Sequence, residues 1–240
     1  MNRKSGAKTQ APIRVAIDGP AGVGKTTTAR SLARDLGILY VDTGAMYRAV
    51  AVVARRRGVS VDDPEGATGV ARSLRVDLEE DAAGNSRILA DGEDLSEAIR
   101  TDEASDGASR VSVHAGVRSE LVRWQRELAA RRGVVMEGRD IGTVVLPDAE
   151  AKVFLTASPE ERARRRWREL RERGEAAAPE AVLRDIRERD ARDQGRDVSP
   201  LRPAPDAVVL DCTALDLPSQ TASVRRVVEA VLAMRESGRE

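Results

Sequence analysis

Apolar and polar residues alternate along the chain in blocks that predict strands and helices in turn. Short apolar runs bounded by turn residues predict five strands, at residues 13–18, 38–42, 134–137, 152–156 and 207–211. Apolar positions at helical spacing predict helices at residues 25–36, 44–57, 102–113 and 115–131, from residue 158, and at residues 179–193 and 218–234. Strands that alternate with helices predict one α/β domain over residues 13–240, with a parallel five-stranded sheet flanked by helices.

Residues 59–100 interrupt this alternation. Residues 74–78 and 87–90 alternate with a period of two, and residues 82–85 between them are typical of a turn. The segment therefore predicts a small β-rich insert. Before it, Gly37 and Gly58 are predicted to end the first two helices, and Thr43 to cap the second.

The most specific motif joins the first predicted strand to the first predicted helix and fits G-x-x-x-x-G-K-[ST]. Glycines allow positive φ angles, so successive N–H groups can approach one phosphate, and the helix adds the positive end of its dipole. A glycine-rich turn that binds nothing is the alternative, but the strand and helix flanks favour a nucleotide-binding loop. The predicted nucleotide-binding residues are Gly19, Pro20, Ala21, Gly22, Val23, Gly24, Lys25, Thr26 and Thr27.

Two side chains of this loop carry its chemistry. Lys25 is one of four lysines in an arginine-rich chain, and it offers a mobile charge to the outer phosphates of a nucleotide. Arginine cannot simply replace a compact ammonium that must move among phosphate oxygens. Thr26 offers a hydroxyl ligand for Mg²⁺, a hard cation that prefers oxygen.

Composition excludes several classes of function. Basic and acidic residues balance at 40 each, so no long-range field attracts nucleic acid or an anionic membrane. Two Trp, two Tyr and one Phe are too few for a base-stacking platform. No apolar run is long enough to span a bilayer.

Single cysteine and histidine residues narrow the chemistry further. Cys212 is the only cysteine, which excludes a disulfide framework and fits a cytoplasmic location. His114 is the only histidine, so a multi-histidine metal site is excluded and a Ser-His-Asp hydrolase is disfavoured. Residues 1–12 are polar and basic without the apolar segment of a signal peptide, and they predict a disordered tail.

Charged segments follow two of the predicted strands, where parallel sheets bind ligands. They are Asp42-Thr43-Gly44-Ala45-Met46-Tyr47-Arg48 and Glu137-Gly138-Arg139-Asp140-Ile141-Gly142. A strand-end cap and a surface ion pair are the structural alternatives for these two segments.

Two groups of arginines lie on predicted helices. The first comprises Arg162, Arg164, Arg165, Arg166 and Arg168. Such a run is usually a solvated helix face, and the glutamates that follow it can pair with it at helical spacing. The second comprises Arg189, Arg192 and Arg196, of which at least two can face one anion. Several guanidinium groups in one cleft need a polyanion to neutralise them.

These segments together resemble the bacterial cytidylate kinases. The resemblance rests on the phosphate-binding loop, the Asp42 and Glu137 segments, Ile99-Arg100 and Glu188-Arg189-Asp190-Ala191-Arg192-Asp193, in this order. It extends from about residue 13 to the closing helix. Thr43 stands where the family commonly has Ser, which keeps the hydroxyl, and Ala115-Gly116 stand where the family often has a proline.

The resemblance implies a P-loop kinase fold with a monophosphate-binding lobe, an insert at about residues 60–95 and a mobile helical lid at about residues 158–175. It implies a Mg²⁺-dependent transfer of the ATP γ-phosphoryl group to CMP or dCMP, by a monomer that binds neither nucleic acid nor membrane. Phosphoryl transfer of this kind needs positioning and charge stabilisation but no protein nucleophile.

The same resemblance implies the acceptor residues, motif by motif. They are Asp42, Thr43, Arg48, Ser109, Arg118, Arg139, Asp140, Arg189, Asp193 and Arg196. The four arginines at 48, 139, 189 and 196 would bind phosphate, and Asp193 would bind the ribose. Ser109, Arg118 and Asp140 would contact cytosine, and arginines of the lid would contact ATP. Lys25, Arg139 and Arg189 are the implied catalytic residues.

Three alternatives remain at this point. A P-loop kinase for another small molecule or monophosphate would share Lys25 and Thr26 and differ only at the acceptor. A regulatory GTPase would need an Asn-Lys-x-Asp segment, but no lysine follows Lys152. A nucleic-acid-dependent ATPase is disfavoured by the zero net charge and the few aromatic residues.

Overall fold

The computed structural model describes residues 12–80 and 86–237. Its centre is a parallel sheet of five strands, β1 (Arg14–Asp18), β2 (Leu39–Asp42), β6 (Val134–Gly138), β7 (Ala151–Thr156) and β8 (Val208–Asp211). The strands lie in the order β2-β6-β1-β7-β8. The prediction of a five-stranded parallel sheet is thus confirmed.

Helices cover both faces of the sheet, which explains why its inner strands are almost continuously apolar. Side chains alternate along each strand, so Val15 and Ile17 of β1 join one core and Ala16 joins the other. The first core packs against α1 (Lys25–Leu36) and α8 (Leu217–Ser237). The second packs against α2 (Thr43–Arg56), α4 (Asp102–Val111) and α5 (Ala115–Arg131).

The insert contains more than the predicted strands. Its sheet is antiparallel, with strands β3 (Val76–Glu80), β4 (Ser86–Ala90) and β5 (Glu93–Asp94). A helix that the sequence pattern did not predict, α3 (Pro64–Ser73), precedes them. Asp63 caps it by accepting from Glu65 N at 3.1 Å. Its two glycines, at positions 66 and 69, had favoured a loop. The predicted turn at residues 82–85 lies outside the described residues.

Two further differences concern the ends of elements. Thr43 does not cap α2, as predicted. Asp42 does, by accepting from Ala45 N at 3.1 Å, because the helix begins at Thr43 itself. A π turn at Ile141–Val145 begins two residues after β6 ends, where no regular element was predicted.

Between β7 and β8 lie two helices joined by a short loop, α6 (Pro159–Glu172) and α7 (Pro179–Gln194). A small apolar cluster lies between them and includes Ala21 of the phosphate-binding loop. The division into an insert, a lid and a core domain stays a prediction, and the predicted tail lies outside the described residues except at residue 12. Among the described residues, none of the helices combines the length and apolar character that a bilayer span requires.

Candidate functional site

The phosphate-binding loop lies at the carboxyl end of β1, the central strand of the sheet. Gly19 has a φ of 152°, and a Cβ there would lie 2.3 Å from Leu155 O, so only glycine fits between β1 and β7. Gly24 precedes α1 with a φ of 92°, and no side chain caps the first turn of that helix. The N–H groups of this turn are therefore free to bind an anion.

Lys25 is the first residue of α1 and is held under the loop. Its Nζ donates to Pro20 O at 2.7 Å, and only 6% of the residue is exposed. Burial, followed by the positive charge of Arg139, lowers the pKa of Lys25 to about 7, although Glu137 opposes the shift. A bound polyphosphate would favour the charged ammonium and raise this pKa.

Glu137 lies at the end of β6 beside Lys25, and the sequence interpretation gave it no role. Tyr40 OH donates to Glu137 Oε1 at 2.5 Å, and Thr26 also hydrogen-bonds to this carboxylate. Burial, followed by the charge of Asp42, raises the pKa of Glu137, while Lys25 opposes the shift. An acidic residue that ends a buried strand next to the P-loop strand was the signal that could have identified it.

Two oxygen donors that could serve a metal, Thr26 and Glu137, lie at the phosphate-binding loop. Among the described residues, no group of three or more His, Cys, Asp or Glu side chains could hold a metal ion. Thr26 is exposed at the start of α1, and the Glu137 carboxylate is its hydrogen-bond partner. Both side chains are hard oxygen donors, which fits a Mg²⁺ ion that shares its coordination with phosphate and water.

Asp18 connects the P-loop strand to the turn that carries Arg139 and Asp140. It accepts hydrogen bonds from Ile141 N and Gly142 N, both at 2.8 Å, and 4% of it is exposed. Burial raises the pKa of Asp18 to about 6 against these two hydrogen bonds. Sequence reasoning missed this residue because its partners lie more than 120 positions away.

Arginines and carboxylates from three elements meet beyond the P-loop. Arg139 Nε donates to Asp193 at 2.8 Å, and Arg196 of the segment after α7 pairs with the same carboxylate. Arg48 of α2 pairs with Asp42 at 2.7 Å. These contacts bring predicted phosphate-binding residues from distant parts of the chain to one place.

Arg189 is the arginine of this group that forms no ion pair with a carboxylate of the described residues. Its Nη1 lies 3.3 Å from Ser105 Oγ, and within the described part of the chain the Nε atoms of Arg189 and Arg196 are buried without a partner. Burial, followed by the charge of Arg139, lowers the pKa of Arg189 to about 10. A guanidinium in these surroundings would be stabilised by an anion, as the sequence predicted.

The predicted base-binding residues are all buried. Asp140 is buried in an ion pair with Arg118 of α5, whose guanidinium lies 5.9 Å from the ring centre of Tyr47. Ser109 of α4 is also buried, and its Oγ has no hydrogen-bond partner among the described residues. A buried hydroxyl of this kind is suited to a polar ligand.

The structure explains why Ala115-Gly116 stand where the family often has a proline. Helix α5 begins at Ala115, so Arg118 lies in its first turn. A Cβ on Gly116 would lie 2.3 Å from Thr68 Oγ1 of α3, so a residue without a side chain is needed where the two helices cross. The departure therefore does not displace Arg118 from the site.

These parts line one cleft of about 1570 Å³. All predicted acceptor residues and most of the phosphate-binding loop lie along it. The loop residues that do not line it are Gly19, Pro20 and Val23.

The arginines of α6 divide into two groups, so the prediction of a solvated charged face was only partly correct. Arg162 is 3% exposed, and Arg165 donates to Val23 O at 3.3 Å and to Cys212 O at 2.6 Å. Both hold α6 to its surroundings. The remaining three, Arg164, Arg166 and Arg168, line the cleft, as Arg165 also does.

A P-loop after the central strand of this sheet and a basic pocket opposite it define a P-loop kinase. The family model for cytidylate kinase matches residues 15–236, and the chain belongs to this family.

Curated relatives agree with that assignment over nearly their whole length. The "Cytidylate kinase" of Pelotomaculum thermopropionicum is 51% identical over 94% of this chain and 96% of its own. That of Desulfitobacterium hafniense is 52% identical over 85% of this chain and 88% of its own. Among solved structures, the shikimate kinase of Bacteroides thetaiotaomicron aligns with 92% of this chain and 99% of its own, at 15% identity and a TM-score of 0.46.

Proposed function

We propose that this chain transfers the γ-phosphoryl group of ATP to the phosphate of CMP or dCMP, giving ADP and CDP or dCDP. One observation carries the choice of acceptor: a buried carboxylate, Asp140, and the Ser109 hydroxyl, which has no partner among the described residues, line the same cleft as the arginines. That pair suits the amino group and ring of cytosine. Kinases for other small molecules are not favoured, because the close relatives are named cytidylate kinases.

The reaction needs no protein nucleophile. An oxygen of the CMP phosphate attacks the γ-phosphorus of ATP, a new P–O bond forms, and the bond to the β-phosphate oxygen breaks as ADP leaves. The second pKa of a monoester phosphate is about 6, so the attacking oxygen is already ionised near pH 7. Binding and orientation are then the main contributions of the protein.

On the donor side, we assign the loop N–H groups and Lys25 to the ATP phosphates. Thr26 would hold Mg²⁺ directly, with Glu137 as an acceptor for its bound water. When bound, Mg²⁺ would neutralise charge that develops on the phosphate oxygens. We assign Arg164, Arg166 and Arg168 of the lid to ATP. Arg164 pairs with Glu161 and Arg166 with Asp102, and phosphate oxygens would replace these carboxylates. Arg162 and Arg165 instead hold backbone carbonyls of the surrounding protein.

On the acceptor side, we assign Arg48, Arg139, Arg189 and Arg196 to the CMP phosphate. Asp193 pairs with two of them, Arg139 and Arg196. Transfer of those guanidinium groups to phosphate would free its oxygens for a ribose hydroxyl. Closure of a lid over both substrates would exclude water and suppress ATP hydrolysis. We further propose that the protein acts as a monomer in the cytoplasm and binds neither nucleic acid nor membranes.

Replacing Arg189 by alanine tests the acceptor assignment. The change removes a charge-assisted contact of about 1.5–3 kcal/mol, so kcat/KM for CMP should fall roughly 10- to 100-fold. The KM for ATP should change less than about twofold, because the residue lies on the acceptor side. Steady-state kinetics with each substrate varied in turn measure both values.

Arg187→Ala is the matched control for this variant. Arg187 lies on the same helix but is exposed and pairs with Glu160 at 2.8 Å. It should leave both kinetic constants near the wild-type values. A loss of ATP affinity in Arg189→Ala, with CMP use unchanged, would move Arg189 to the donor side.

A further inference from the structure

Arg162 is buried outside the cleft and touches three parts of the catalytic apparatus. Its Nε donates to Ala157 O at 2.9 Å, and its Nη1 donates to Ala21 O in the P-loop at 3.2 Å. Its two Nη atoms bind Asp190 of α7 side by side, at 2.9 and 2.6 Å. Four of the five N–H donors of a guanidinium are thereby used, which leaves little capacity for a phosphate.

The contact with Ala21 fixes one peptide of the phosphate-binding loop. In a trans peptide the C=O and N–H groups point to opposite sides. Because Arg162 holds the carbonyl of Ala21, the N–H of Gly22 faces away from Arg162. Gly22 lines the cleft, so this amide is one of the donors that the loop can offer to phosphate.

The contact with Asp190 fixes the helix that carries acceptor residues. Val182, Ile186 and Asp190 are spaced four residues apart, and this stripe of α7 meets α6 and the P-loop. Arg189 and Asp193 form a neighbouring stripe that lines the acceptor side of the cleft. A rotation or shift of α7 at Asp190 must therefore move the acceptor residues.

Stability alone does not account for this arrangement. A buried ion pair adds little net stability, since desolvation of both charges offsets their attraction. Bidentate pairing does fix the distance and orientation of the two partners. The Arg162–Asp190 pair thus holds the donor loop and the acceptor helix in one relative position.

We propose that Arg162 is a positioning residue that couples the two substrate sites through Asp190. A nucleotide bound to the Gly22 amide favours the orientation of the Ala21 peptide that Arg162 also holds. Through Arg162 and Asp190 it thereby favours the position of α7 that binds CMP more tightly. The inference rests on the proposed function, which supplies the two ligands. Neither Arg162 nor Asp190 touches a substrate in this account.

Calorimetric titration of CMP, with and without a saturating non-hydrolysable ATP analogue and Mg²⁺, tests the coupling. In the wild-type protein the analogue should tighten CMP binding at least about fivefold, the lower end of typical coupling between sites. In Asp190→Asn the analogue should change the Kd for CMP less than about twofold. The Kd for CMP alone should stay within about threefold of the wild-type value.

Two further variants separate coupling from folding. Glu160→Gln removes a charge from the exposed Glu160–Arg187 pair, which joins the same two helices, and should keep the wild-type coupling. Arg162→Lys keeps a positive charge but loses the bidentate contact, and it should lose the coupling as Asp190→Asn does.

Several results would overturn the inference. One is that the wild-type protein binds CMP with the same Kd in the presence and absence of the analogue. Another is that Asp190→Asn or Arg162→Lys keeps the wild-type coupling. A protein that binds no CMP under any condition would instead contradict the proposed function.

Discussion

Replacing Lys25 by alanine should reduce kcat for CMP phosphorylation by roughly 10³-fold, near the upper end of what removal of one electrostatic group does in an active site. The ammonium lies against the P-loop with 6% of the residue exposed, and no other lysine lies near the loop sequence. Loss of its charge leaves the outer phosphates of ATP without a mobile partner in the transition state. The measurement is kcat at saturating ATP and CMP.

The matched variant for this prediction is Lys25→Arg. It keeps the charge but replaces a compact ammonium with a planar group that cannot move among phosphate oxygens in the same way. Its kcat should therefore also fall far below the wild-type value. Thermal unfolding and CMP binding should stay close to wild type in both variants, which separates a loss of chemistry from a loss of folding. Turnover within about tenfold of wild type in Lys25→Ala would contradict the P-loop assignment.

Replacing Asp140 by asparagine should narrow the preference for CMP over UMP by at least about tenfold. Cytosine has an amino donor at position 4, where uracil has a carbonyl acceptor. A carboxylate can accept from the first and repels the second, whereas an amide can turn either its oxygen or its nitrogen to the base. Wild-type discrimination should reach about 10⁴, because a mismatched polar group would stay buried and unpaired.

Asparagine is the better replacement because Asp140 also pairs with buried Arg118. Alanine would leave that guanidinium without a partner, which destabilises a protein by about 3–5 kcal/mol. The values to compare are kcat/KM for CMP and for UMP in both proteins. Asp148→Asn is the control, since Asp148 is an exposed partner of Arg14 and does not line the cleft. An unchanged ratio in Asp140→Asn would mean that the base is recognised elsewhere and that Asp140 only holds Arg118.

Local sequence signals predicted most of the fold and the donor loop. The five strands followed from short apolar runs, and the P-loop from glycines placed between a strand and a helix. Helix α3 was missed because Gly66 and Gly69 are typical of a loop, although Ala67, Val70 and Ala71 are buried at helical spacing. The N-cap of α2 was predicted at Thr43 but lies at Asp42, a difference of one residue that is usual for helix ends.

The sequence could not predict which arginine pairs with which carboxylate. Many arginines compete for the same carboxylates, and composition does not say which pairs become buried. Arg162 and Arg164 are equivalent in the sequence pattern, yet one is enclosed against Asp190 and the other is exposed beside Glu161. Asp18 and Glu137 acquire their surroundings only when the parallel strands are aligned, so sequence spacing alone gave neither a role.

The most direct test of the proposed function is kcat/KM with ATP, Mg²⁺ and each of CMP, dCMP, UMP, AMP and GMP, in an assay that follows ADP and the nucleoside diphosphate together. The account predicts equal amounts of ADP and CDP or dCDP, no turnover after removal of Mg²⁺ with a chelator, and values for UMP, AMP and GMP lower by about 10³-fold or more. Faster phosphorylation of AMP, GMP or UMP than of CMP and dCMP, or ADP formation without a diphosphate product, would contradict it.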